Sequence, residues 1–108
     1  MSYKLDYFID RYGNKPCERW LGKLRDKRAK DQITKRLERI EEDGDFGDHE
    51  YADKGVWYLR IHIGPGYRVY FAREGNQVIL LLCGGNKTGQ QKDIALAKDY
   101  LDHHRRHK

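Results

Sequence analysis

Long apolar runs are missing from this 108-residue chain. No stretch approaches the roughly 18 consecutive apolar residues of a membrane-crossing helix, and the N-terminus carries no secretory apolar segment. The expectation is a chain with no membrane partner, in a reducing cytoplasmic setting. Cysteine is scarce: Cys17 and Cys83 stand alone, too few and too isolated for a disulfide framework or a zinc site. No metal or other cofactor is expected, and Cys83, closing an apolar run, reads as a buried thiol. Proline is scarce as well. The chain is polar, with a mean hydropathy of -1.00 and 36% charged residues, so disorder has to be weighed. Only two prolines, 12% aromatics and a strongly periodic apolar pattern argue for a folded domain.

The length sets a single domain, residues 1–108, with one modest core. The net charge of +5 favours polyanions, whether nucleic acid or an acidic protein, although a generic basic surface gives the same count.

Periodicity divides the chain. Tyr3 to Ile9 alternates, with Tyr3, Leu5 and Tyr7 on one side, and reads as a strand. Asn14-Lys15-Pro16 marks a break and a helix start. Trp20, Leu21 and Leu24 form that helix's apolar stripe. A second helix is expected over about 31–43, with Ile33, Leu37 and Ile40 as its stripe and Gly44 as its stop. The two helices pair antiparallel. Residues 44–55, with four acids and several glycines, read as a mobile polar loop. Val56 to Ile63 alternates cleanly: Trp57, Leu59, Ile61 and Ile63 point one way, Tyr58, Arg60 and His62 the other. After a Gly64-Pro65-Gly66 turn, Tyr67, Val69 and Phe71 oppose Arg68, Tyr70 and Ala72. Val78 to Cys83 is apolar throughout and suits a central strand. A last helix is expected from Gln90 to His103 on the stripe Ile94, Ala97, Leu101, and the basic run 103–108 reads as a frayed tail. The fold class is α+β, with one sheet and the helices on one face.

The alternation sets Arg60 directly opposite Arg68 on the outer face. Like charges so placed repel, so something must compensate. Either a bound anion such as phosphate fills the gap, or an acid from 44–55 neutralises both. Tyr58, Tyr70 and His62 share that face. Rings beside guanidinium forks suit base stacking along a gripped backbone, and Lys54 adds a cation to that RNA-binding set; ordinary surface filling is the alternative. His62 is a candidate acid or base, or simply a solvated side chain. Lys87, after two glycines, can reach a phosphate over the sheet edge. Asp93 is either a helix-start acid or a proton-transfer group.

At this point a resemblance emerges. The order strand, two helices, three strands is similar to the RelE/ParE toxin superfamily. L-R-I-H-I-G-P-G-Y-R-V-Y-F (59–71) and L-L-L-C-G-G-N-K-T-G-Q-Q-K-D-I-A-L-A-K (80–98) resemble its HigB-like, phage Gp49-like branch, often labelled addiction module killer protein. W-L-x-x-L-R-D (20–26) and D-Q-I-T-K-R-L-E-R-I (31–40) fit it too, so the likeness covers about 3–102. It implies a type II toxin held inactive by an antitoxin of helix-turn-helix type. It also implies a ribosome-dependent endoribonuclease that cuts messenger RNA and so blocks translation. By motif, Arg60, Arg68 and Lys87 carry over as catalytic. Asp93 falls where some relatives have a tyrosine, histidine or acid. A ParE-like poison of DNA gyrase and an inactive RNA-binding module are the alternatives the same fold allows.

Overall fold

The computed structural model describes residues 2–107. In chain order the elements are β1 (Lys4–Tyr7), α1 (Pro16–Lys23), α2 (Lys27–Asp43), β2 (His49–Asp53), β3 (Val56–Ile61), β4 (Tyr67–Glu74), β5 (Val78–Asn86), a 3₁₀ turn (Lys87–Gly89) and α3 (Gln90–Arg106). The strands form one mixed sheet in the order β1-β5-β4-β3-β2, with β1 parallel to β5 and the other pairs antiparallel. The chain is thus α+β, with a five-stranded sheet. Among the described residues no helix is long and apolar enough to cross a membrane.

Local chemistry sets the helix ends. Pro16 opens α1, where its missing N–H costs nothing. The Asp26 side chain accepts from the Ala29 N–H at 3.1 Å and caps α2, which therefore starts at Lys27 and not near Asp31. Gly44, at φ 70°, closes α2 and donates its N–H to the Ile40 carbonyl at 3.0 Å.

The sheet is covered on both sides, which corrects the expectation of helices on one face. On one side, Cys17 of α1 and Ile33, Leu37 and Ile40 of α2 pack on Leu59, Ile61, Val69, Phe71, Ile79 and Leu81. On the other, Ala97 and Leu101 of α3 pack on Tyr58, Tyr70, Ala72, Leu80 and Leu82. Tyr58 and Tyr70 alternate with core residues as surface residues do, but α3 roofs their face.

Two further expectations change. The 44–55 segment is no mobile loop. It supplies the edge strand β2, whose hairpin to β3 turns on Lys54 and Gly55, both at positive φ (50° and 88°). Its approach is tied down by Arg36 of α2, whose guanidinium donates to the carbonyls of Phe46 (2.9 Å), Asp48 (2.7 Å) and Arg60 (2.7 Å). At the C-terminus, α3 runs on to Arg106. Its last turns dock where the His103 and His104 rings meet Phe8 edge-on, at 6.0 and 6.4 Å between centroids. Residues 103–106 are therefore helical and not a frayed tail; Lys108 lies outside the described residues.

One irregularity sets the phase of everything downstream. Tyr70 pairs with Cys83 but Phe71 with Leu81, so Leu82 is an extra residue in β5. Leu82 and Cys83 then both face α3. The next two residues resume alternation, with Gly84 toward α1 and Gly85 toward α3.

Candidate anion-binding site

The register places Arg60 of β3 opposite Arg68 of β4, as the alternation requires. Their surroundings differ. Arg60 donates from Nε and Nη2 to Asp48 Oδ1 at 3.0 and 2.7 Å, and from Nη1 to Glu50 Oε2 at 3.4 Å. The Asp48 hydrogen bond raises the Arg60 pKa, and Asp48's carboxyl is held below the usual range, by Arg60 first and His62 second. Arg68 is 7% exposed. Its Nε donates to the neutral Gln90 Oε1 of α3 at 3.2 Å, and its guanidinium carbon lies 5.6 Å from the centre of the Tyr58 ring. No carboxylate of the described residues pairs with it. Of the two compensations left open by the sequence, an acid from 44–55 answers for Arg60 and for Arg60 alone.

Asp48 is the residue that sequence reasoning did not single out. Its Oδ2 also lies 2.5 Å from His62 Nε2, so one carboxylate bridges Arg60 and an exposed imidazole. The available signal was parity: extending the alternation of β2 backward puts Asp48 and Glu50 on the arginine face and His49 and Tyr51 on the other.

Lys87 arrives from the far side. Its backbone N–H donates to Gly66 O at 2.7 Å, fastening the end of β5 to the 64–66 turn. Gly66, at φ 79°, brings the turn against the Lys87 side chain. Together His62, Gly64, Pro65, Gly66, Arg68 and Lys87 line a surface depression of about 320 Å³. Among the described residues, the Lys87 ammonium has no acidic partner. Three of the expected catalytic residues, His62, Arg68 and Lys87, are therefore brought together.

Asp93 sits deeper, on the first turn of α3. A Cβ built on Gly85 would lie 1.9 Å from Asp93 Oδ2, and one on Gly84 would lie 2.2 Å from the Trp20 ring. The two glycines thus serve close approach on the two faces; neither needs a positive φ. Burial raises the Asp93 pKa, and its carboxylate has no hydrogen bond or ion pair among the described residues. The buried Tyr70 hydroxyl also lacks a partner there, and burial followed by Asp93 pushes the Tyr70 pKa up.

The remaining RNA-binding expectations are corrected. Tyr58 is 5% and Tyr70 0% exposed beneath α3, so neither ring offers a face for a base. The Tyr58 hydroxyl donates to Glu50 Oε2 at 2.5 Å instead. Lys54 lies at the other end of β3, lining a separate depression with Lys98, Leu101 and Arg105. Among the described residues no group of three or more His, Cys, Asp or Glu converges to hold a metal ion.

An uncharacterized protein of Haemophilus influenzae is 46% identical over 79 residues, covering 73% of this chain and 79% of the relative. Residues 19–102 match the family described as phage derived protein Gp49-like (DUF891). That match runs from within α1 to within α3 and includes every residue of the depression. The chain belongs to the phage-derived Gp49-like family.

Proposed function

We propose that this protein is the toxin of a toxin–antitoxin pair, a RelE/HigB-like endoribonuclease that cuts messenger RNA and so inhibits translation. The observation that carries the reading is the meeting of Arg68, Lys87 and His62, from three different elements, around one depression with no carboxylate on either cation. Two uncompensated cations at a surface hollow suit a phosphodiester. Family membership supports the toxin class and, with it, a cognate antitoxin as partner. The ribosome is the natural orienting surface for a messenger RNA held at so shallow a site.

The chemistry is attack by a ribose 2′-hydroxyl on its own 3′-phosphate. The O2′–P bond forms, the P–O5′ bond breaks, and the 5′-oxygen leaves with a proton. His62 takes the proton from the 2′-hydroxyl. With Nε2 engaged by Asp48, its Nδ1 is the nitrogen left for that task. Arg68 stabilises the charge of the phosphorane. Lys87 binds the phosphate and supplies the proton to the leaving oxygen. Each preorganised donor of this kind contributes about 10² to 10³ in rate. Asp93 competes for the role of base on the strength of its raised pKa, but His62 alone lines the depression with both cations. Arg60 acts at one remove, by holding Asp48 against His62.

Induction of the wild-type chain in cells, followed by mapping of messenger RNA 5′ ends, tests the reading. New breaks and growth arrest are expected, and Arg68→Ala removes both while the protein stays folded. A DNA-damage response with intact transcripts, the behaviour of a gyrase poison, overturns it.

A further inference from the structure

On the face that α1 and α2 pack against, the β2 end of the sheet carries a second surface that the two helices do not cover. Tyr51 of β2 is 51% exposed and meets the half-buried Trp57 ring edge-on at 5.0 Å. Trp57 in turn lies 5.8 Å from the His49 ring, which lies 5.3 Å from Phe46. The Arg73 guanidinium spans the row, 4.9 Å from the centre of Phe46 and 5.4 Å from that of Trp57. The Tyr51 ring is held at its hydroxyl, which accepts the Gly55 N–H at 2.9 Å across the hairpin turn.

Charge tells what would cover this row. Arg73 is exposed and has no carboxylate partner among the described residues. The acids of β2 all turn to the opposite face: Glu50 meets Tyr58 and Arg60, and Asp53 meets Lys98 of α3. The bulge between Tyr51 and Asp53 makes that turn for Asp53. What remains is a row of rings, free of carboxylates, with the Arg73 guanidinium across it. Flat aromatic faces beside a free guanidinium match a nucleobase with its neighbouring phosphate.

We propose that Tyr51, Trp57 and Arg73 form a stacking platform for a single-stranded nucleic acid segment, on the face of the sheet opposite the Arg68 depression. The proposal rests on the RNA reading above for the choice of polymer. It does not require cleavage. The sequence had assigned base stacking to Tyr58 and Tyr70. Those rings are roofed, whereas Tyr51, three residues before Lys54 of the β2–β3 turn, is open.

The test is fluorescence anisotropy with labelled oligonucleotides that cannot be cut: a 2′-O-methyl RNA and a DNA of the same sequence. Tyr51→Ala weakens binding of both roughly tenfold, because stacking engages the base and not the sugar. Since the Tyr51 hydroxyl ties down the hairpin, Arg73→Gln serves as a second variant on an exposed side chain. It weakens binding and lowers the slope of log affinity against log salt by about one phosphate contact. If both variants bind either strand as the wild type does, the platform is wrong. Wild-type cleavage with unchanged variant binding defeats the platform alone. Loss of binding in the variants of a protein that never cleaves RNA defeats the nuclease reading alone.

Discussion

Arg60 and Arg68 face each other on one side of one sheet, yet the β2 side and the α3 side of that pair treat them differently. On the β2 side two carboxylates close on Arg60, and one of them also holds His62. On the α3 side a neutral amide accepts a single bond from Arg68, and the guanidinium is left nearly buried with its charge unanswered. A guanidinium does not lose its proton in a protein, so burial cannot neutralise Arg68 as it could a lysine. An arginine closed by acids works as structure. An arginine closed by an amide keeps its charge for an incoming anion. The difference teaches that strand register alone does not make a pair of arginines a phosphate clamp; the element beside each one decides.

The largest expected effect separates the two directly. In single-turnover cleavage of messenger RNA on purified ribosomes, Arg68→Ala lowers the rate by about 10² to 10³, the worth of one preorganised donor. Arg60→Ala lowers it less, because it acts only through Asp48 and His62. Equal losses would erase the distinction.

A glycine substitution perturbs the α3 side and spares the β2 side. In Gly85→Ala the new methyl meets Asp93 Oδ2 at 1.9 Å and pushes on the helix turn that carries Gln90. Overpacking of this kind costs about 1 to 3 kcal/mol, read as a lower urea midpoint, and activity falls with Gln90's hold on Arg68. The Asp48–Arg60 contact, reported by the acid dependence described next, stays as it was.

The smallest effects are two opposite pH dependences. Asp48's pKa is depressed, so its contribution to stability is fully present above the usual carboxylate range, near pH 4, and is lost as pH falls through the lower folded value. Asp93's pKa is raised, so its ionisation opposes folding: the penalty begins as pH rises past about 4 and is complete above the raised value. Asp48→Asn therefore lowers the melting temperature at pH 7 and flattens the loss in acid. Asp93→Asn raises the melting temperature at pH 7 and changes little at pH 3. Thermal melts of both variants across that range check the signs.

Much of the β3–β4 hairpin was legible because alternation there is strict on both strands, and a one-residue slip would have buried two arginines under α2. The same logic failed at β2. Gly44, Gly47 and four acids read as loop chemistry, and only the clamp from Arg36, a distant residue, turns that stretch into a strand edge carrying Asp48. It failed at α3 as well. The stripe Ile94, Ala97, Leu101 was visible, but a stripe does not say which face of a sheet it covers, so Tyr58 and Tyr70 were given to solvent. The extra residue Leu82 left no trace at all, because an unbroken apolar run has no alternation to shift. Lys87 and His62 were legible as residue types; their meeting depended on Gly66 and the 64–66 turn.

The central claim is that Arg68 is open to a phosphodiester and Arg60 is not. The most direct measurement is an NMR titration of the two arginine Nε–Hε signals with an uncleavable 2′-O-methyl dinucleotide. The account predicts that the Arg68 signal moves with saturation while the Arg60 signal, held by Asp48, stays in place. Movement of Arg60 with Arg68 unmoved would contradict it.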